Sequence, residues 1–332
     1  MGNETRYFFI TGTSRSGTTL LQAMLSRGEG VFIPPETHFM PLVWKNRRKL
    51  GDIETDAGWK AALQAIRQRS AIAGIELDDS RFEELAANEP RGYGSLLRAW
   101  LRAAAEAHEH DASGAPAVIG EKSPPHTMYV PQLLSMFPDA VFVHIVRDPR
   151  DVAVSQLQAW GTPITSSAVR WHIDQRAGLA AERMLAADRF LVVRYEDLVA
   201  RPEVEIRKAC DVLGIIYRDE MLHPHQRSQL GFAERERHKQ RTLEAVTDSR
   251  VGRYRGALSP GSIAAIEFVC RRHMRRLGYE PAGSSWWKGA VALALRCPAM
   301  AWRKLRLRSP AHRIARRVGR DPQNPGIRGP AK

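Results

Sequence analysis

The stretch Tyr7-Phe8-Phe9-Ile10-Thr11-Gly12-Thr13-Ser14-Arg15-Ser16-Gly17-Thr18-Thr19-Leu20-Leu21 decides the fold of this 332-residue chain. Tyr7 to Ile10 is an apolar run suited to a strand. The chain then turns between two glycines and leaves as a helix through Thr18 to Leu21. In a strand, glycine-bounded loop and helix, the N–H groups of the turn and the open N–H groups of the first helical turn converge on one spot. The helix dipole adds positive potential there, so the predicted element is a phosphate cradle. The spacing from Gly12 to Gly17 is that of a nucleotide-triphosphate loop, but Thr18-Thr19 stands where Lys-Ser/Thr belongs. A different cation, Arg15, sits inside the loop, and Ser14, Ser16, Thr18 and Thr19 add uncharged donors.

Working outward, short apolar runs recur, and each delivers charge or prolines at its end. Val31 to Ile33 leads into Pro34-Pro35-Glu36-Thr37-His38, where the double proline forbids helix and holds Glu36 at a strand end. Ala117 to Gly120 is followed by Glu121-Lys122-Ser123-Pro124-Pro125-His126, and a helix is expected over Met128 to Phe137. Val141 to Val146 is the clearest buried strand and ends in Arg147-Asp148-Pro149-Arg150-Asp151 before a helix through Ser155. An arginine there, instead of an acid directly after the strand, argues for a second anion site and against a magnesium site. Phe190 to Val193 ends in Arg194-Tyr195-Glu196-Asp197-Leu198. Parallel α/β sheets place their working groups at such strand ends.

Between these runs the chain is helical. Trp59 to about His110 is polar-faced, with breaks near Gly74 and at Pro90 to Gly94, and forms an inserted wall over the site. Helices are also expected over Ser166–Ala187, from Arg201-Pro202 to Gly214, and from Ser259-Pro260 to Gly278. His223-Pro224-His225 lacks a third ligand and is a loop. Phe232 to Arg241 is a charged, solvated lid. Thr247 to Leu258, with Arg250, Arg253 and Arg255, is too glycine-rich for a stable helix and suits wrapping an anionic ligand.

The net charge of +14 is uneven: from Ser285 on, twelve Lys/Arg face one acid, Asp321, so about +11 lies in the last 48 residues. The body therefore carries little excess charge, and no specific nucleic-acid partner is expected from it. Trp286 to Arg317 alternates apolar and basic residues and is broken by Arg296 and Pro298, too short to span a bilayer. It suits either an anionic membrane surface or packing on the body. Cys210, Cys270 and Cys297 are odd in number and widely spaced, consistent with reduced thiols. No signal peptide is evident, which gives an expectation of a cytoplasmic protein, peripheral at the membrane through its tail. The expected division is a domain at 1–283 with a helical insertion at 55–112, followed by a basic amphipathic tail at 284–332.

Arg15-Ser16-Gly17-Thr18-Thr19, Arg147 through Ser155, and Val251-Gly252-Arg253-Tyr254 occur in the order found in sulfotransferases that use 3′-phosphoadenosine 5′-phosphosulfate. The chain resembles that family, and in particular its bacterial and tyrosylprotein-like branch, over about Tyr7 to Glu280. The resemblance implies an α/β, P-loop-type three-layer fold with a central parallel sheet flanked by helices. It implies that Arg15, Ser16, Gly17, Thr18 and Thr19 hold the 5′-phosphosulfate and that Arg147, Ser155 and Arg253 hold the 3′-phosphate. Tyr195 would stack on adenine, Glu36 would act as base and Lys122 would neutralise the leaving oxygen. Sulfuryl transfer needs no metal, because the moving group carries less charge than a phosphoryl group; the absent loop lysine and absent strand-end acid then belong together. The acceptor would be a hydroxyl on carbohydrate, glycolipid or another alcohol. His38 stands where the tyrosylprotein branch has arginine, which counts against a peptide. Two alternatives remain open at this point: a P-loop kinase or NTPase, and a membrane or nucleic-acid adaptor acting through the tail.

Overall fold

In a computed structural model of the chain, which describes residues 5–108, 117–224, 247–282 and 291, five parallel strands form one sheet. They are β1 (Arg6–Gly12), β2 (Val31–Phe32), β3 (Val118–Lys122), β4 (Val141–Val146) and β5 (Phe190–Arg194), in the order β2-β3-β1-β4-β5. Ile10 lies opposite Lys122 on one side and Val143 on the other, and Val146 opposite Arg194. This register brings the strand ends level, with the loop after β1 in the middle.

The helices are α1 (Thr18–Leu25), α2 (Phe39–Leu42), α3 (Arg47–Leu50), α4 (Asp56–Ala73), α5 (Asp79–Ala87), α6 (Tyr93–His108), α7 (Val130–Met136), α8 (Pro149–Trp160), α9 (Ile164–Glu182), α10 (Tyr195–Ala200), α11 (Pro202–Leu213), α12 (Tyr254–Ala257) and α13 (Pro260–Arg276). Their ends follow local chemistry. Thr55, Asp78, Asp148 and Ser259 cap α4, α5, α8 and α13 by accepting backbone N–H bonds. Left-handed glycines stop α4, α8 and α11.

Alternation along the strands builds two cores. Phe9, Ile119, Phe142 and Phe190 point to one face and pack with Leu96 and Trp100 of α6 and Leu133 of α7. Phe8, Ile10, Val118, Val143, Ile145 and Val193 point to the other and pack with Leu21 and Met24 of α1 and Ile206 and Cys210 of α11. A third cluster joins Val152 of α8, Trp171 of α9 and Ile266 and Cys270 of α13. The fold is thus the expected three-layer α/β sandwich. Among the described residues no helix is long and apolar enough to cross a membrane.

Three local expectations need correction. β3 does not stop at Gly120 but runs through Glu121 and Lys122, because Phe9 and Ile10 of β1 continue the ladder beside them. The helix expected over Met128–Phe137 is split: Pro124–Tyr129 is a 3₁₀ turn and only Val130–Met136 is α-helical, with Pro131 in its first turn. Within the glycine-rich 247–258 segment, Tyr254–Ala257 does form one helical turn. The lid expected at Phe232–Arg241, His225, Cys297 and the basic tail expected over Trp286–Arg317 lie outside the described residues, save for Val291.

Candidate active site

The loop after β1 depends on two close approaches. A Cβ on Gly12 would lie 2.4 Å from the Ile145 carbonyl oxygen, and one on Gly17 would lie 2.5 Å from Cδ2 of Tyr195. Both glycines also have positive φ, 150° and 98°. Gly17 precedes α1 without a side-chain cap, so the opening N–H groups of the helix face the loop, as an anion site requires. Arg15 has φ 75°, a conformation that costs a non-glycine residue about 1 kcal/mol. Its Nε donates to Ser155 Oγ of α8 at 3.1 Å, and its guanidinium lies 5.7 Å from the Trp160 ring.

A buried polar chain braces the loop from below. Gln175 of α9 donates through Nε2 to Thr13 Oγ1 at 3.1 Å, leaving its Oε1 to accept from His144 Nε2 at 3.1 Å. His144 Nδ1 then accepts from Thr11 Oγ1 at 3.0 Å. This network assigns one neutral tautomer to His144, and burial pushes its pKa down to about 4. Beside it, burial pushes Asp174 up to about 6, against the attraction of Arg170 and a hydrogen bond from Thr13. Gln156 of α8 donates to the Ser14 carbonyl at 2.9 Å, and the Gly12 N–H donates to Thr127 Oγ1 at 2.8 Å.

On the β3 side of the loop, Lys122 is buried, 1% exposed, and its Nζ lies 2.6 Å from Glu36 Oε1 and 3.5 Å from Thr19 Oγ1. The other carboxylate oxygen, Oε2, is 3.1 Å from His38 Nε2. Arg69 of α4 fixes this arm by donating to the carbonyls of Glu36 and Thr37 at 2.7 and 2.8 Å. The His38 N–H donates to Ser123 Oγ at 3.0 Å, and Ser123 and Thr37 both donate to Glu121 Oε1 at 2.6 and 2.7 Å. Glu121 is buried against His126, with 2.6 Å between Oε2 and Nδ1. Burial favours its acid form, but His126, Ser123 and Thr37 together outweigh that and leave its pKa lowered. A second buried carboxylate thus holds the segment that carries Glu36.

On the β4 side, Arg147 is 6% exposed and joins three segments. It donates to the carbonyls of Arg15 at 3.2 Å and Arg250 at 2.6 Å, and its guanidinium stands 4.4 Å from the Tyr195 ring centroid. Asp151 accepts from the N–H groups of Gly252 at 2.7 Å and Tyr254 at 2.9 Å, which docks the late loop onto the first turn of α8. Burial raises the Asp151 pKa, with those two N–H bonds and Arg147 opposing. Among the described residues, two buried donors in this region, Ser16 Oγ and Arg147 Nε, find no hydrogen-bond partner, as donors reserved for an anionic ligand would.

The structure therefore joins Arg15, Ser155 and Arg147 in one hydrogen-bonded group, and Glu36, Lys122 and Thr19 in another, with Ser16 and Gly17 in the loop and Thr18 at the start of α1 between them. Tyr195 is buried between Gly17 and Arg147. Arg253 is exposed and joins the group through its backbone, between the two N–H groups held by Asp151. Sequence reasoning missed His144, Gln175, Gln156, Thr127 and Arg69. The single polar residue in the otherwise apolar run Val141–Val146 was a signal for His144; Gln175, Gln156 and Arg69 look like ordinary helix-surface residues.

The sequence model of the sulfotransferase family matches residues 8–219. The chain is 26% identical to protein-tyrosine sulfotransferase 1 of Danio rerio over 284 residues, 82% of this chain and 72% of that protein. It is 24% identical to protein-tyrosine sulfotransferase A of Caenorhabditis elegans over 292 residues, 83% of this chain and 67% of that one. Among solved structures, the sulfotransferase domain of the Synechococcus PCC 7002 olefin synthase superposes with a TM-score of 0.59 at 23% identity, covering 83% of this chain and 95% of that domain. The sulfotransferase domain of the curacin biosynthetic pathway gives 0.58 at 19% identity, covering 83% and 99%. These two share the fold.

Proposed function

The chain belongs to the sulfotransferase family, and from that premise we propose that it moves a sulfuryl group from 3′-phosphoadenosine 5′-phosphosulfate to an acceptor hydroxyl by in-line displacement, with Glu36 as base. With the family established, the kinase alternative falls. The observation that carries the proposal is the Glu36–Lys122 pair, 2.6 Å apart and within 3.5 Å of Thr19 at the head of α1. It sets a carboxylate and an ammonium beside an anion-binding loop.

The residues present fit the donor. Ser16 Oγ and Arg147 Nε are buried donors with no partner among the described residues, and the open N–H groups at the head of α1 suit a phosphosulfate. Arg15, Ser16, Gly17, Thr18 and Thr19 would hold the 5′ end, Arg147, Ser155 and Arg253 the 3′-phosphate, and Tyr195 the adenine side. When bound, the donor supplies an activated sulfuryl group on a phosphate leaving group. Glu36 removes the acceptor's proton as the oxygen attacks. Lys122 and Arg15 stabilise the charge that moves onto the leaving oxygen. Arg69 and Ser123 keep the Glu36–His38 segment in register, so that little ordering remains at the moment of reaction.

The acceptor is a hydroxyl of carbohydrate, glycolipid or another alcohol. The named substrates of the relatives include protein tyrosine, but His38, not arginine, lies against Glu36 here. Calorimetry tests the donor: adenosine 3′,5′-bisphosphate is expected to bind without magnesium, and ATP with magnesium at least about tenfold more weakly. The reverse order overturns the proposal. Transfer of labelled sulfate to cell extracts, read by mass spectrometry, then identifies the acceptor.

A further inference from the structure

Away from this site, α9 and α13 run side by side to a common end. His172 and His273 pack with ring centroids 4.8 Å apart, and Arg276 Nη2 reaches Glu182 at 2.7 Å. The outer stripe of α9 and the turn beyond it carries Ile173 and Met184, both exposed, 39% and 58%, with half-buried Ala177 and Ala180 between them. Arg176 and Arg183 lie along the same stripe, and Arg271, Arg272, Arg275 and Arg276 are exposed on the last two turns of α13. On these two helix ends the acid is Glu182, already bonded to Arg276; Asp188 and Glu280 follow in the turns beyond. Arg272 and Arg276 lie close to His273, whose pKa is lowered to about 4 by burial first and then by His172, Arg272, Arg176 and Arg276.

Helix-end cations alone would be explained by the helix dipole. The exposed apolar stripe on α9 would not. Apolar residues flanked by arginines on one surface suit the boundary of an anionic bilayer, where methyl groups enter the headgroup layer and guanidinium groups meet lipid phosphates. A nucleic acid would use the arginines and leave Ile173 and Met184 in water. We infer that the face built from Ile173, Met184, Arg272, Arg275 and Arg276 docks the protein on an anionic lipid membrane, independently of the basic tail.

The test is sedimentation of the full-length protein with vesicles of phosphatidylcholine alone or with about 30% phosphatidylserine. The wild-type protein is expected to bind the anionic vesicles, and salt to release it. Arg272→Ala/Arg275→Ala, with the tail intact, is expected to weaken that binding between about tenfold and a hundredfold. Met184→Ser, which changes no charge, is expected to weaken it severalfold and to leave binding to poly(U) unchanged. Unchanged vesicle binding in both variants overturns the inference, since the tail would then suffice. Equal binding to neutral vesicles overturns it as well. So does loss of poly(U) binding in the arginine variant with vesicle binding intact, which would assign the face to nucleic acid. None of these outcomes depends on sulfuryl transfer.

Discussion

Glu36 and Lys122 are each unfavourable without the other. Lys122 is 1% exposed and the Glu36 side chain 14%, and removing one partner of a buried pair costs about 3 kcal/mol. Glu36→Gln and Lys122→Met are each expected to lower stability by about that amount, and the double variant by less than their sum. All three should lose at least about a hundredfold in transfer rate, while Glu36→Gln keeps its affinity for adenosine 3′,5′-bisphosphate. Urea unfolding and calorimetry check both parts; an active Glu36→Gln enzyme would mean that another base acts. The brace below the loop gives a pH prediction. His144 titrates at about 4 when folded, below its unfolded value of 6.5, so acidification from 6.5 to 4 protonates the unfolded chain first and stability falls. Asp174 titrates at about 6, above its unfolded value of 3.8, so over the same window the folded protein takes up the proton first and stability rises. The two effects oppose one another, each worth about 3 kcal/mol. Asp174→Asn removes the compensating half. The variant is expected to lose about 2 kcal/mol more than wild type between pH 6.5 and 4 in urea unfolding, and parallel curves would refute the account.

At the scale of elements, the late loop is docked by one carboxylate. Asp151 holds the N–H groups of Gly252 and Tyr254, and Arg147 holds the Arg250 carbonyl. Asp151→Ala leaves two N–H donors unpaired, at a cost of about 1–3 kcal/mol, concentrated on a segment that local opening can release without unfolding the sheet. Trypsin should then cut after Arg250 and Arg253 at least about tenfold faster, and affinity for adenosine 3′,5′-bisphosphate should fall. Unchanged proteolysis would show that the loop is held otherwise. This docking also marks the limit of what the sequence makes legible. The loop after β1, the strand Val141–Val146 and the Ser259-Pro260 helix start could be read because their signals are local: glycine spacing, a β-branched run, a cap followed by proline. The links between them could not. Gln175 and Thr13 are 162 residues apart and Gly252 and Asp151 101, and nothing in the surrounding periodicity distinguishes Gln175 from a solvated helix residue. β3 was read two residues short because Glu121 and Lys122 have charged side chains, although the ladder with β1 and the partners Ser123 and Glu36 make both comfortable there.

For the whole molecule, the remaining question is where the folded body ends. The helix α13 stops at Arg276, but the packing does not. Tyr279 is buried; its hydroxyl donates to Glu196 Oε2 at 2.8 Å, and the Arg194 guanidinium lies 4.6 Å from its ring. Burial first, and then the Glu196 charge, hold its phenol well above the usual range, so it serves as a neutral donor. Glu196 in turn accepts from the Asp148 N–H at 2.9 Å, next to Arg147. Farther on, the Ala282 N–H donates to Glu267 Oε1 at 2.7 Å, the oxygen that also takes Arg150 Nη1 at 2.7 Å. The segment 277–282 therefore closes the β4 side of the site from behind. A chain cut after Gly283 keeps all of these contacts and is expected to melt within about 3 °C of full length and to bind adenosine 3′,5′-bisphosphate as tightly. A chain cut after Leu277 loses a buried aromatic side chain and leaves Glu196 and Glu267 each short of a donor. That should cost about 4 kcal/mol or more, which for a domain of this size lowers the melting temperature by roughly 8–16 °C. It should also weaken nucleotide binding, because Glu196 supports the turn that carries Arg147. Melting curves of the two truncations against full length decide the matter. If the shorter one melts like the longer, the Tyr279–Glu196 contact holds nothing together and the boundary lies earlier in the chain.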